Sequence, residues 1–513
     1  MFRSTGPISN ELLPGLARRL PSLFPALALA LACGGTSAPT GSDDPGPPPG
    51  DADVVVEAGV RHQAIDGFGA TTLDLVYQFG EQDNLPPSLR QDAVRAAYGE
   101  VGLDLGTLSE GNIETENDDA DPANFRWDGF RFGGMEAMKE KLVDPARAHG
   151  FSGAYPSLKV NTRFTLSWMR SIRSEDYDRY LDEVAEFVAA GVIGWSERDG
   201  GPPEHVKLFN EPLSGNRELT DGTPSEVADI VARVGERLEA EGYGEVGLLV
   251  PGGETVRRSL ETARAVLGHG DASRHVSALT YHAYRGPYKS ISDILATSGR
   301  GQPDAEALRL RRELRSLARE HGIPLWMSEI TYGGAGATSM DALRGRAIHV
   351  HDELVHAGAS AFFGMNNLWD SRSQREHFGN DDLLSETGTI ALIDLKAGEV
   401  IITSMGRAIG HYARWVDPGA VRVEAASRDS LVQVSAFRDD ARGRFSAVLI
   451  NNHPEERTVR VDVSGLSLTG PLQGEASAAD RRWDPLDPVA VEGGASFTLT
   501  LPGHGVVSVA GSY

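Results

Sequence analysis

The chain has a single cysteine, Cys33, in 513 residues. Intramolecular disulfides are therefore excluded, as are zinc clusters that need several thiolates. Positive charge is also scarce. Lys and Arg number 49 against 73 Asp and Glu, a formal net charge of −24. That balance argues against a general electrostatic grip on nucleic acid or anionic lipid, both of which require a basic face. No Gly-x-Gly-x-x-Gly follows the first strand pattern and no Walker-type loop occurs. Gly-x-Ser-x-Gly and His-Glu-x-x-His are missing too, so the common signatures of nucleotide, serine-hydrolase and metalloprotease chemistry are not available. What remains is ordinary: 40% hydrophobic and 24% charged residues, enough apolar material for large cores and a length suited to about two or three domains.

The first residues read as an address. Arg3, Arg18 and Arg19 precede an apolar run from Leu20 to Ala32, too short to cross a bilayer as a helix but suited to a secretory signal. It ends Leu29-Ala30-Leu31-Ala32-Cys33, which resembles a bacterial lipobox. In that reading residues 1–32 are a lipoprotein signal peptide and Cys33 carries the lipid. The plainer reading is a cleaved signal with a chance cysteine. Residues 33–52 are a Gly, Pro and Asp-rich linker that cannot bury a core. Gly34 after Cys33 favours the outer membrane, by analogy with lipoprotein sorting.

Beyond the linker, short apolar runs alternate with longer amphipathic ones. Strands are expected to end near Gly69, Leu108, Val160, Phe209, Val250, Tyr281, Glu329 and Met365. Helices are expected between them, with starts marked by Ser174-Glu175-Asp176 and Thr223-Pro224-Ser225-Glu226. Eight such units predict an α/β fold, a (β/α)₈ barrel over 63–416. After Asp417-Pro418-Gly419 only strand patterns follow, predicting an appended C-terminal β-sandwich over 417–513.

Reactive side chains of such a barrel sit at the C-terminal ends of its strands. Val206-Lys207-Leu208-Phe209-Asn210-Glu211-Pro212 ends the fourth strand in a carboxylate, and Pro324-Leu325-Trp326-Met327-Ser328-Glu329 ends the seventh. Two carboxylates over one cavity suit glycoside hydrolysis, one protonating the leaving oxygen and the other meeting the developing oxocarbenium ion. Asn210 offers an amide for a sugar's 2-hydroxyl.

Asn-Glu-Pro on strand four and Trp-x-Ser-Glu on strand seven resemble the clan A retaining glycoside hydrolases. Gln63-Ala64-Ile65-Asp66-Gly67-Phe68-Gly69-Ala70, Thr280-Tyr281-His282-Ala283-Tyr284 and Trp415-Val416-Asp417-Pro418-Gly419-Ala420-Val421 resemble segments of glycoside hydrolase family 30. The resemblance covers nearly everything from Val54 onward. It implies Glu211 as acid/base, Glu329 as nucleophile, Asn210 on the 2-hydroxyl, and His282 and Tyr284 lining the subsite, one of them orienting the nucleophile. It also implies that an N-terminal strand within 53–62 pairs with the β-domain. Two segments depart from the pattern. Leu103–Leu108 lacks the arginine usual on the second strand, and Phe164–Met169 keeps Trp168 without the prolines.

Trp168 and Trp369 follow strands three and eight, where an indole could stack on a sugar or simply fill core. Glu114 lies in an acidic loop after strand two, which reads as solvated rather than calcium-binding because it lacks the EF-hand spacing. His349, His351 and His356 share one helical segment and read as ordinary surface or partly buried histidines. The expectation is an exported, monomeric, retaining β-glycosidase. Its partner is a β-linked glycan of the xylan, β-1,6-glucan or β-glucoside type. No metal, organic cofactor or nucleic acid is implied, and the membrane enters only through the lipid. The rivals are a surface glycan-binding lipoprotein on a degenerate barrel and a clan A transglycosylase.

Overall fold

The computed structural model describes residues 52–71, 85–108, 113–114, 121–156, 167–214, 222–284, 289–331, 336–379, 382–385, 388–479 and 481–513. Cys33, the leader and most of the acidic loop lie outside them. Eight parallel strands form the barrel: Gly67–Thr71, Leu105–Leu108, Gly153–Pro156, His205–Lys207, Gly247–Gly253, Val276–His282, Leu325–Glu329 and Ala361–Gly364. The eighth pairs with the first, and the third and fourth lie side by side to complete the ring. Inward side chains of alternate residues pack a central layer of Leu105, Leu249, Ala278, Trp326, Ala361 and Phe363. Below it Asp66 accepts hydrogen bonds from Trp326 Nε1 and Ser360 Oγ, both at 2.6 Å, and seals the floor.

The helix signals act largely as expected. Thr223 caps Pro224–Ala240, its hydroxyl accepting from the Glu226 amide at 3.2 Å. At the preceding helix the structure differs. Ser174 lies inside a short helix, Ser167–Glu175, and Asp176 caps the long one, Tyr177–Asp199. That helix runs past Ala190, where the sequence pattern ends. Within the extension Gly194 is a packing residue: Phe132 lies so close that a Cβ there would meet its ring. A three-stranded sheet of Asn366–Asp370, Thr389–Asp394 and Glu399–Ile402, inserted after the last barrel strand, was not anticipated.

The C-terminal strands form a ten-stranded sheet folded on itself around Val56, Val423, Phe445, Val461, Leu499 and Val509. The strand Val54–Ala64 enters it, antiparallel to Val421–Ser427 and parallel to Arg457–Ser464. Phe437, Val448, Ile450 and Val506 of the sandwich join the core beneath the barrel helices, so the described residues from 52 to 513 form one compact unit. Among the described residues no helix is long and apolar enough to cross a membrane.

Candidate active site

The fourth, sixth and seventh strands deliver the site. Glu211 leaves strand four in a left-handed backbone conformation, φ 55°, that a residue with a side chain adopts only where its surroundings impose it. Its amide donates to the Gly252 carbonyl at 2.9 Å, which ties this turn to the end of strand five. His282 ends strand six on the inward face, since Ala278 in the central layer shares its parity. Glu329 ends strand seven after a register irregularity beside Met327.

These elements bring Glu211, His282 and Glu329 together, all buried, with an oxygen of each carboxylate and a ring nitrogen within 4.8 Å of one another. His282 Nδ1 lies 3.2 Å from Glu211 Oε1 and 3.8 Å from Glu329 Oε1. With Glu211 ionised, the imidazole must carry the hydrogen; with Glu211 protonated, its hydroxyl can donate to Nδ1. The Tyr284 hydroxyl donates to Glu329 Oε1 at 3.3 Å. Burial, then the charges of Glu329 and Glu211, push the Tyr284 phenol well above its usual range, so it stays a neutral donor. Glu329 Oε2 has no hydrogen-bond partner among the described residues.

The sequence reading missed Lys207. Its side chain is 3% exposed, donates to Asn210 Oδ1 at 3.2 Å and places its ammonium 3.9 Å from Glu329 Oε2. The signal was a lysine inside the apolar run of strand four. With that positive charge already present, the cluster makes a poor cradle for a metal cation.

Other expected residues lie elsewhere or outside the description. Trp369 is buried with Ala337, Leu383 and Leu392 in a small core, its indole nitrogen donating to Gln374 at 3.1 Å. Trp168 begins the helix Ser167–Glu175 and Glu114 sits in a two-residue strand, but their side chains lie outside the described residues. His349 is fully buried on Glu353 rather than at the surface, in a network completed by Arg311 and Tyr281. His351 donates to or accepts from Ser435, at the seam with the sandwich.

No protein-family model matches the chain, and no curated relative matches it in sequence. Solved structures do match in fold. An endoxylanase of glycoside hydrolase family 30 from Clostridium papyrosolvens C71 superposes with a TM-score of 0.63 at 18% identity, over 90% of this chain and all of that one. The catalytic domain of the family 30 xylanase C from Talaromyces cellulolyticus gives 0.66 at 16%, over 90% of this chain and all of that domain. An endo-β-1,6-glucanase gives 0.59 at 16%, covering 91% and 96%. The fold of this chain, barrel and sandwich together, is that of the family 30 glycoside hydrolases.

Proposed function

We propose that the chain is a retaining β-glycosidase acting on a β-linked glycan of the xylan, β-1,6-glucan or β-glucoside type. One observation carries the reading: one oxygen of Glu211 and one of Glu329 lie within 4.8 Å of each other, beside a shared histidine. Retaining glycosidases hold their carboxyl groups about 5–5.5 Å apart, whereas inverting ones leave about 6.5–9.5 Å for a water. Glu329, with a tyrosine donor and an ammonium beside it, has the surroundings of an attacking carboxylate. Glu211, against His282, has a route for its proton.

In the first step Glu329 bonds to the anomeric carbon as the glycosidic C–O bond breaks, and Glu211 gives its proton to the leaving oxygen. In the second, Glu211 takes a proton from water, the water oxygen bonds to the anomeric carbon and Glu329 leaves. Export, with Cys33 as a lipid anchor, belongs to the same proposal. The test is a 2-deoxy-2-fluoro β-glycoside series, with the labelled peptide located by mass spectrometry. Labelling at Glu329 is expected. Labelling elsewhere, or glycan binding with no turnover across a panel, overturns the reading in favour of other roles or a glycan-binding protein.

A further inference from the structure

We propose that His351, Asp352 and His356 form a metal site, which takes a divalent transition ion of the zinc type at the seam between barrel and sandwich. The cluster lies just before the eighth barrel strand begins, at the end of the barrel opposite Glu211 and Glu329. It stands independently of the hydrolase reading.

The three residues belong to the helix Met340–Asp352 and the turn that follows it. In a regular α-helix, two residues five apart point about 140° away from each other. Here Glu353–Ala357 widens into a π turn, and the Gly358 amide donates to the Glu353 carbonyl five residues back. Such i→i+5 bonds bring residues five apart onto one face. The His351 and His356 rings therefore face each other, with centroids 6.1 Å apart. One donor atom from each ring and one oxygen of Asp352 all lie within 4.8 Å of one another.

The hydrogen bonds around the cluster turn lone pairs toward a common point. His351 Nδ1 lies 2.8 Å from the Ser435 hydroxyl. Ser435 also hydrogen-bonds the phenol oxygen of Tyr412, whose own hydrogen goes to the Ala347 carbonyl at 3.2 Å. Ser435 thus gives its hydrogen to Tyr412 and accepts one from His351 Nδ1. The lone pair of the neutral imidazole is left on Nε2, which makes no hydrogen bond among the described residues. On Asp352 the Ser298 hydroxyl donates to Oδ2 at 2.7 Å, while Oδ1 lies 3.9 Å from His356 Nε2. Bonds to the far atom of an imidazole or carboxylate are what orient such groups as metal ligands.

Two imidazoles and a carboxylate are zinc ligands, with a water to complete four. Ligands on a tetrahedral zinc sit about 3.4 Å apart, so the partly exposed His356 has about half an ångström to close on Asp352. Two arginines lie near, and each is met by a carboxylate other than Asp352. Arg311 donates to Glu353 at 3.0 Å. Arg422, on the strand Val421–Ser427, lies beside Glu424 and donates to Gln63 Oε1 at 3.2 Å.

The experiment titrates Co²⁺ into the full chain after treatment with a chelator, and then adds Zn²⁺. One equivalent of cobalt should bind with the visible bands of a four-coordinate ion, and zinc should bleach them. Ser435→Ala should weaken cobalt binding about 10–100-fold, and His356→Ala should weaken it further. Zinc should raise the melting temperature of the wild type and leave that of His356→Ala unchanged. His356→Gln serves as a second variant should alanine disturb folding. A wild type that takes up no cobalt overturns the proposal and leaves His356 and Asp352 as an ion pair. Binding that survives in folded His356 variants also overturns it, and its loss in Glu329→Gln would then place the ion between the two acids.

Discussion

The two oxygens of Glu329 have unlike surroundings. Oε1 accepts from Tyr284, while Oε2 lies nearer the Lys207 ammonium and accepts no hydrogen bond among the described residues. Under the proposed mechanism the oxygen whose lone pairs are uncommitted is the better placed to bond to carbon. Tyr284→Phe removes the donor on the other oxygen and should lower kcat/KM about tenfold. Its alkaline limb should coincide with that of the wild type, because burial and the neighbouring carboxylates keep the phenol neutral beyond the ordinary tyrosine range. A limb lost in the variant would show that Tyr284 titrates in the working range. Glu211→Gln makes a different prediction. Substrates with poor leaving groups should lose about 10²–10⁴ in kcat/KM, whereas dinitrophenyl glycosides should keep a fast first step and accumulate the glycosyl-enzyme. Stopped-flow release of dinitrophenolate checks this, and equal losses on both substrate types would remove Glu211 from the acid role.

At the scale of elements, close approach of strands decides what the sequence can be. Gly69 on the first barrel strand has no room for a side chain: a Cβ would lie 2.6 Å from the Leu105 carbonyl oxygen and 2.8 Å from Phe363. Gly59, in the strand that enters the sandwich, has nothing within 4 Å. Gly69→Ala should therefore cost about 1–3 kcal/mol, and Gly59→Ala should stay within about 0.5 kcal/mol of the wild type. Urea denaturation separates the two, and equal midpoints would contradict the packing argument. The same contrast explains what could be read in advance. The acids that follow strand four, Glu211, and close strand seven, Glu329, were legible because an apolar run closing on an acid has few structural uses in a barrel. Lys207 was not, since inward and outward faces of a buried strand are both apolar and a lysine within the run could belong to either. The helical pattern that ends at Ala190 is followed by Gly191 and Gly194, and glycine weakens a helix in isolation. Here Gly194 is there for the ring of Phe132, a partner more than sixty positions away that only the folded chain supplies.

At the scale of the whole molecule, the barrel and the sandwich are joined by polar contacts as well as by shared core. His411, on the helix Ser404–Ala413, is fully buried between two serines of the sandwich, with Ser508 Oγ 2.8 Å from Nδ1 and Ser477 Oγ 2.8 Å from Nε2. The Ser508 hydroxyl donates to the His411 carbonyl at 2.7 Å, so toward Nδ1 it acts as acceptor. Ser477 accepts the Trp483 amide and can give its own hydrogen to Nε2. The imidazole is satisfied in its neutral form, with hydrogen on Nδ1, and protonation at Nε2 would face a hydroxyl already pointing at it. Burial, with Arg414 and Arg407 nearby, lowers its pKa from 6.5 to about 3. Because the unfolded chain takes up this proton first, stability falls as the pH drops below about 6.5 and continues to fall toward pH 3, by about 1.4 kcal/mol per pH unit for this one group. His411→Gln cannot take up the proton, so its denaturation free energy should lose that much of the acid slope relative to the wild type. Urea titrations at pH 7, 6 and 5 make the comparison, and parallel dependences in the two proteins would mean that this histidine does not govern how the seam responds to acid. The serine pair that makes it sensitive comes from strands Gln473–Ala478 and Val506–Ser512. The first of these, Gly-Glu-Ala-Ser-Ala after its opening glutamine, carries almost no hydrophobic pattern. The seam was therefore hidden from any reading of periodicity, although both ends of its hydrogen bonds are plain in the amino-acid sequence.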